Sequence, residues 1–179
     1  MGIYEVCLVY EARNNLLEDV EMRREFAELL YKAMQEDPDI YLITGDLGYG
    51  MWDQIKNMFP ERYINVGAAE QTMVGIASGL AFEGKKPFCY SITPFLLYRP
   101  FEHLRTYVNH EKIPVRLIGS GRNQDYEHDG YSHWADDAQQ VLSALPNIKR
   151  LFPKDEAEVK TMFKEMLETN GPSFISLKR

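Results

Sequence analysis

The sequence is poor in the residues that usually announce chemistry. It has two cysteines and four histidines in 179 residues. Cys7 and Cys89 stand alone, without metal-ligand or redox spacing, and both are expected to pack as small apolar residues in a reducing compartment. No apolar run approaches the ~18 residues that a membrane span needs, and no basic segment leads into an apolar core as a secretory signal would. Positive charge is scarce as well. Twenty Lys and Arg against 27 Asp and Glu give a net charge of -7, and the basic residues are scattered rather than striped, which argues against a nucleic-acid surface. No Ser-His-Asp or Cys-His arrangement stands out. The expectation is a cytoplasmic chain that binds neither nucleic acid nor membrane.

What is present reads as one α/β domain, 16–179, preceded by an N-terminal extension or first strand at 1–15. Glu5 to Tyr10 suits a strand, and Glu11 to Asn15 a loop or a partner-binding arm. From Leu17 to Gln35, Val20, Phe26, Leu29, Leu30, Ala33 and Met34 follow helical spacing. Strands are expected at Ile40 to Thr44, Tyr63 to Val66, Pro87 to Ser91, Pro114 to Ile118, Ile148 to Phe152 and Ser173 to Leu177. Helices are expected at Trp52 to Phe59, after Gly67, after Pro100, at Asp136 to Leu145 and after Asp155. Pro100 suits the first turn of its helix, with Phe101, Leu104, Tyr107 and Val108 on the buried side. Asp155 and Glu158 form a capping-box-like start. Thr93 to Arg99 reads as an aromatic-rich loop, and Gly119 to Trp134 as a long polar one of the sort that often carries function. Apolar strands alternating with helices predict a three-layer α/β sandwich: a mostly parallel sheet with helices on both faces.

The most informative stretch runs from Tyr63 to Gly84. A short strand breaks at Gly67, a helix follows, and a carboxylate, Glu70, stands at the joint. Ligands of α/β sheets usually sit there, outside the carboxyl ends of the strands. The helix is built from small residues (Gly75, Ala77, Ser78, Gly79), although each interior glycine costs about 1 kcal/mol against alanine. That composition predicts a close approach by another backbone or a flat ligand. Beside Glu70, two other patches could do chemistry: the aromatics between Phe95 and Tyr98, and the loop His128-Asp129-Gly130-Tyr131-Ser132-His133. The glycines of Gly45-Asp46-Leu47-Gly48-Tyr49-Gly50 run G-x-x-G-x-G, not the dinucleotide-binding G-x-G-x-x-G, and an ordinary tight loop accounts for them. His128, His133 and Asp136 invite a metal-site reading that their irregular spacing disfavours.

Taken together, these patches resemble the pyrimidine-binding domain of transketolases and their thiamine-diphosphate relatives. Arg62-Tyr63 … Gly67-Ala68-Ala69-Glu70-Gln71 … Gly79-Leu80-Ala81 … Gly84 is similar to the family's segment around its catalytic glutamate. Tyr90-Ser91-Ile92-Thr93-Pro94-Phe95-Leu96 is similar to the segment that follows, with one extra residue. Asp129-Gly130-Tyr131-Ser132-His133 resembles the family's Asp-Gly-Pro-Thr-His, and Pro146-Asn147 and Gly171-Pro172-Ser173 fall in the expected order. The similarity runs from about Met22 to the end.

The resemblance implies a role for each patch. A carboxylate bonded to N1′ of the aminopyrimidine of thiamine diphosphate favours the imino form that deprotonates the thiazolium, and Glu70 falls at that position. Tyr98 falls where the family stacks an aromatic on the pyrimidine, with Phe95 beside it, and Asp46 joins the cofactor-binding residues. Asp129 and His133 correspond to residues that hydrogen-bond the sugar. Arg23 and Arg179 fall on two arginines that hold the substrate phosphate. A phosphate-contacting histidine is missing near Gly121-Arg122, and a serine expected after Asp46 is replaced near Gly50. Arg122 could compensate, or the acceptor could be a modified or nucleotide-linked sugar.

No Gly-Asp-Gly motif with its downstream asparagine, the family's holder of the divalent cation, occurs in the sequence. The resemblance therefore implies half a cofactor site. The Mg2+ or Ca2+ would be held by a separate subunit with the diphosphate-binding domain, in a heterotetramer acting on sugar substrates by ketol transfer. Two alternatives keep the fold: a subunit of a 2-oxoacid dehydrogenase or a deoxyxylulose-phosphate-synthase-like enzyme, and a non-catalytic regulatory module. The retained Glu70 argues against the latter.

Overall fold

A computed structural model describes residues 22–179. Six strands form one sheet: β1 (Ile40–Thr44), β2 (Tyr63–Asn65), β3 (Lys86–Ile92), β4 (Arg116–Ser120), β5 (Lys149–Leu151) and β6 (Ser173–Leu177). Their spatial order is β2-β1-β3-β4-β6-β5, and every neighbouring pair is parallel. The expected sheet is thus fully parallel. Cys7 and the strand, loop and helix start expected within residues 1–21 lie outside the described residues.

The alternation of side chains along the strands divides the interior in two. On one face Leu42, Phe88, Ile118 and Ile175 pack against Met22, Phe26, Leu30 and Met34 of helix α1 (22–36), Ile55 of α2 (Asp53–Met58), and Val159, Phe163 and Met166 of α7 (Glu156–Glu168). The apolar residues of α1 recur every four positions, one stripe of a helix. Phe26 meets Phe163 edge-on at 5.1 Å. On the other face Ile43, Cys89, Leu117 and Phe174 pack against α3 (Glu70–Phe82), α4 (Thr93–Tyr98) and α6 (Ala138–Ser143), and against α5 (Phe101–His103), which continues as a π-helical stretch through Leu104–His110. With both faces covered, the strands carry almost continuous apolar runs, as a parallel sheet requires.

The order of the strands creates the place where a ligand can sit. From β1 the chain moves outward to the edge strand β2, with α2 on one face. From β3 it moves the other way, to β4, with α4 and α5 on the opposite face. Right-handed crossovers in opposite directions demand opposite faces. The loops leaving the carboxyl ends of β1 and β3 therefore diverge and open a crevice between them.

Several expectations are corrected. Thr93–Tyr98 is a helix, not a loop: Pro94 occupies its first turn, where the missing N–H costs nothing. Leu96 and Leu97 are buried beneath it. Tyr107, expected on a buried face, is 43% exposed, because the π-helical stretch shifts the helical register. The fourth strand starts at Arg116 rather than Pro114. Asp155 caps α7 by accepting from the Glu158 N–H at 2.8 Å, but Glu158 reaches back to the Lys154 N–H, also at 2.8 Å, instead of closing a box with Asp155.

Gly119 shows how closely the site is supported. A Cβ there would lie 2.7 Å from Thr93 Oγ1 and 2.8 Å from the Phe174 ring. Gly119→Ala is expected to lower stability by about 1–3 kcal/mol through overpacking, measured by urea denaturation. An unchanged midpoint would contradict this packing.

Candidate functional site

The crevice at the carboxyl ends of β1 and β3 is built around Glu70. Asn65, at the end of β2, ties its two walls together. Its Oδ1 accepts from the N–H groups of Gly67 (2.9 Å) and Asp46 (3.1 Å), and its Nδ2 donates to Asp46 Oδ1 (2.9 Å). Gly67 turns with φ +72 and Asp46 with φ +60, so the two loops bend sharply and side by side. Asp46 also accepts from the Tyr49 hydroxyl at 2.8 Å, and bonds from Asn65 and then Tyr49 hold its carboxyl below the usual aspartate range. This clamp sets where α3 begins, and Glu70 is the first residue of that helix.

From there the Glu70 side chain reaches inward and is 1% exposed. Gly45 makes room for it: a Cβ at 45 would lie 3.2 Å from Glu70 Oε1. Ser91 Oγ, on β3, donates to Oε1 at 3.1 Å. Arg99 Nη1 donates to Oε1 at 3.0 Å and Oε2 at 2.9 Å. A buried carboxylate needs such partners, since an unpaired buried charge is costly. The helix N-terminus adds favourable partial positive charge.

The Arg99 guanidinium carbon sits over the Phe95 ring, 3.6 Å from its centroid. Phe95 in turn meets His133 edge-on at 4.8 Å. Three of the expected residues, Glu70, Phe95 and His133, are thus gathered at one place. Tyr98 lies one turn beyond Phe95 on α4, on the same side of the helix. Its ring packs on the core, and its hydroxyl donates to Asp137 in a very short contact. Burial and then Asp137 raise the phenol's pKa well above the usual tyrosine value, so the hydroxyl stays a donor.

The other expected residues form a second group. Arg179 covers the Tyr126 ring at 4.6 Å, donates to His128 Nε2 at 3.1 Å, and gives its backbone N–H to Asp125 Oδ2 at 3.1 Å. Asp129 lies 3.2 Å from His128 Nε2. Tyr126 stands 6.2 Å from His133 and so links the two groups. Arg23 lines a cavity of about 420 Å³ with Tyr90 and with Gly48 and Tyr49 of the loop that follows β1. Its Nε is buried without a hydrogen-bond partner among the described residues. Among those residues no three His, Cys, Asp or Glu side chains converge on a metal site. No helix among them is long and apolar enough to cross a membrane.

Sequence reasoning missed Arg99 and Ser91. Arg99 was counted as the last residue of a loop; its place at the end of a helix turns it back onto Glu70, 29 residues earlier. Ser91 follows from β-strand alternation once β3 is fixed, because it shares a face with Cys89 and so points toward α3.

The arrangement fits half of a cofactor site. A planar group with one N–H directed at a buried carboxylate, lying flat on an aromatic ring, is what Glu70 and Phe95 together accept, and Arg99 supplies both features. No comparable cradle for a diphosphate and its cation is formed by these residues.

The Arg99–Glu70 pair has a measurable consequence. Arg99→Ala leaves the carboxylate with Ser91 alone and is expected to destabilise the chain by about 1–2 kcal/mol, discounted for the arginine's exposure. Adding Glu70→Gln is expected to recover most of that loss in thermal or urea unfolding. Additive losses in the double variant would contradict the coupling.

Comparison with known proteins covers the same stretch of the chain. The model of the transketolase pyrimidine-binding domain matches residues 18–179. A 6-deoxy-6-sulfo-D-fructose transketolase subunit of Clostridium sp. (strain MSTE9) is 30% identical over 164 residues, 91% of this chain and 51% of that protein. A 1-deoxy-D-xylulose-5-phosphate synthase of Prochlorococcus marinus (strain MIT 9303) is 34% identical over 155 residues, 86% of this chain and 24% of that protein. Among solved structures, a split-gene transketolase described as an inactive β4 tetramer superposes with a TM-score of 0.77 at 30% identity, covering 88% of this chain and 51% of that one. The chain thus spans about half the length, or less, of the relatives it matches. The glutamate-bearing crevice and these similarities agree: the chain belongs to the transketolase pyrimidine-binding-domain family.

Proposed function

We propose that this chain is the pyrimidine-domain half of a two-subunit, thiamine-diphosphate-dependent transketolase-like enzyme that moves a two-carbon ketol unit from a ketose to an aldehyde. The observation that carries the proposal is Glu70, a buried carboxylate at the strand-order reversal with an aromatic face beside it. Bound there, thiamine diphosphate would supply the carbanion chemistry, and the protein would orient and activate it. Glu70 would hold a proton shared with the pyrimidine N1′. Phe95, rather than the expected Tyr98, whose ring packs on the core and whose hydroxyl is tied to Asp137, would provide the apolar wall that aligns the ring and excludes water. The Asp46–Asn65 clamp fixes the backbone from which Glu70 projects.

His133, beside Phe95, and Asp129, beside His128 in the same loop, are suited to bonding sugar hydroxyls. Arg179 and Arg23 are suited to an anionic group at the far end of the substrate. Whether that group is a phosphate or another anion is a matter of the acceptor's chemistry, and a modified sugar fits the altered phosphate site. The relative that is a sulfofructose transketolase subunit supports that breadth.

The diphosphate and its Mg2+ or Ca2+ need ligands that this sequence does not carry, and these come from a separate subunit in a heterotetramer. Two features support the split. A split-gene relative adopts an inactive tetramer of one subunit type. The outer face of α3 also leaves space: a Cβ at Gly79 meets nothing within 4 Å, and one at Gly75 comes only to 4.0 Å from His103. A partner backbone can approach closely there.

The similarity to a deoxyxylulose-phosphate synthase supports a second reading, in which the donor is a 2-oxoacid such as pyruvate. Reconstitution with a diphosphate-domain subunit decides between them: ketol transfer from ketose donors is expected, and preferential turnover of pyruvate would favour the second reading. In the same pair Glu70→Gln is expected to lower kcat by roughly 10²–10⁴-fold with little change in donor KM. Full activity in that variant would remove Glu70 from the reaction. The isolated chain is expected to bind thiamine diphosphate weakly, because nothing neutralises the diphosphate; tight magnesium-dependent binding in calorimetry would contradict the split.

A further inference from the structure

Arg99 is the residue at this site for which the proposed reaction has no use. It is nonetheless the strongest partner of Glu70, and its placement is specific. Two hydrogen bonds from one nitrogen close over both carboxylate oxygens. The guanidinium carbon stands over the Phe95 ring at 3.6 Å. Among the described residues Arg99 makes no other polar contact. Its side chain is 45% exposed, whereas that of Glu70 is 1% exposed. The arginine therefore closes the carboxylate off from solvent while being free to leave toward it.

We propose that Arg99 is an internal stand-in for the aminopyrimidine ring: it occupies the lone subunit's half-site, keeps Glu70 paired, and is displaced when the cofactor binds. This rests on the cofactor assignment made above. The physical argument is exclusion. A ring that bonds Glu70 through N1′ and lies on Phe95 needs both surfaces that the guanidinium covers, and a planar cation offers the same two contacts as that ring: an N–H into a carboxylate and a flat face on an aromatic. Both cannot be there together. The closed arrangement also serves the chain before assembly, because it spares a buried carboxylate from standing unpaired.

Exclusion has a thermodynamic signature. A ligand that binds only the open arrangement has its apparent affinity reduced by the fraction of open molecules, and removing the stand-in restores it. The Arg99–Glu70 contact is half open to water, which limits its strength. Its removal is therefore expected to tighten cofactor binding by about tenfold and to speed association.

The experiment uses the reconstituted two-subunit complex with Mg2+. Dissociation constants and association rates for thiamine diphosphate are measured by calorimetry and stopped-flow fluorescence for the wild type, Arg99→Ala and Arg99→Gln, after circular dichroism has shown each variant folded. The glutamine variant keeps most of the side chain's bulk and decides the matter if the alanine variant does not fold. Tighter and faster binding in the variants supports displacement. Unchanged or weaker binding, with the wild type binding normally, overturns it and makes Arg99 a permanent brace for Glu70. If neither wild type nor variants bind the cofactor, the assignment of the site fails and takes this inference with it.

Discussion

A single buried carboxylate sets the terms for this molecule. Glu70 is taken out of water by the fold, and a carboxylate out of water is costly unless other groups hold it. The chain meets that cost with three residues from three elements: Gly45 after β1, which leaves the space; Ser91 on β3, which donates one neutral bond; and Arg99 at the end of α4, which supplies charge. None of them would reach Glu70 if β1 and β3 were not neighbours in the sheet, and none would find a crevice there if the chain did not reverse direction between them.

That dependence explains why the supporting structure is so tightly specified. The Asn65 clamp fixes the start of α3, the buried Met73, Val74 and Ala77 hold that helix on the sheet, and Gly119 lets α4 lie against β4 with no side chain between. A shift of α4 would move Phe95 and Arg99 together, since they share that helix and its last turn. Glu70, the Phe95 ring and the Arg99 counter-ion are thus coupled mechanically as well as electrostatically.

The sequence made much of this legible, for identifiable reasons. Ile40–Thr44 and Ser173–Leu177 were placed to the residue because each is a short apolar run after a breaker, Asp37-Pro38-Asp39 in one case and Gly171-Pro172 in the other. Glu70 could be singled out because a glycine after a β-branched strand and a helix of small residues are both visible in the letters. The helix Thr93–Tyr98 was not visible: six residues starting Thr-Pro are too few to show a period, and its helicity comes from packing on β3 and β4. The fourth strand was set two residues early because Pro114 and Val115 continue the apolar pattern while lying before the parallel pairing starts at Arg116. Arg99 was hidden for a deeper reason. Its contact with Glu70 depends on an approach between two helix ends that only the folded sheet brings together, and an arginine next to a proline looks like any solvated charge.

The central claim is that Glu70 is the carboxylate of the pyrimidine half-site and that this half-site is completed by another subunit. A crystal structure of the reconstituted pair with thiamine diphosphate and Mg2+ tests it most directly. The account predicts the pyrimidine N1′ within about 2.7–3.2 Å of a Glu70 oxygen, the ring against Phe95, Arg99 turned away, and the metal held by the partner subunit. A cofactor bound with its pyrimidine elsewhere, and Glu70 still closed by Arg99, would contradict it.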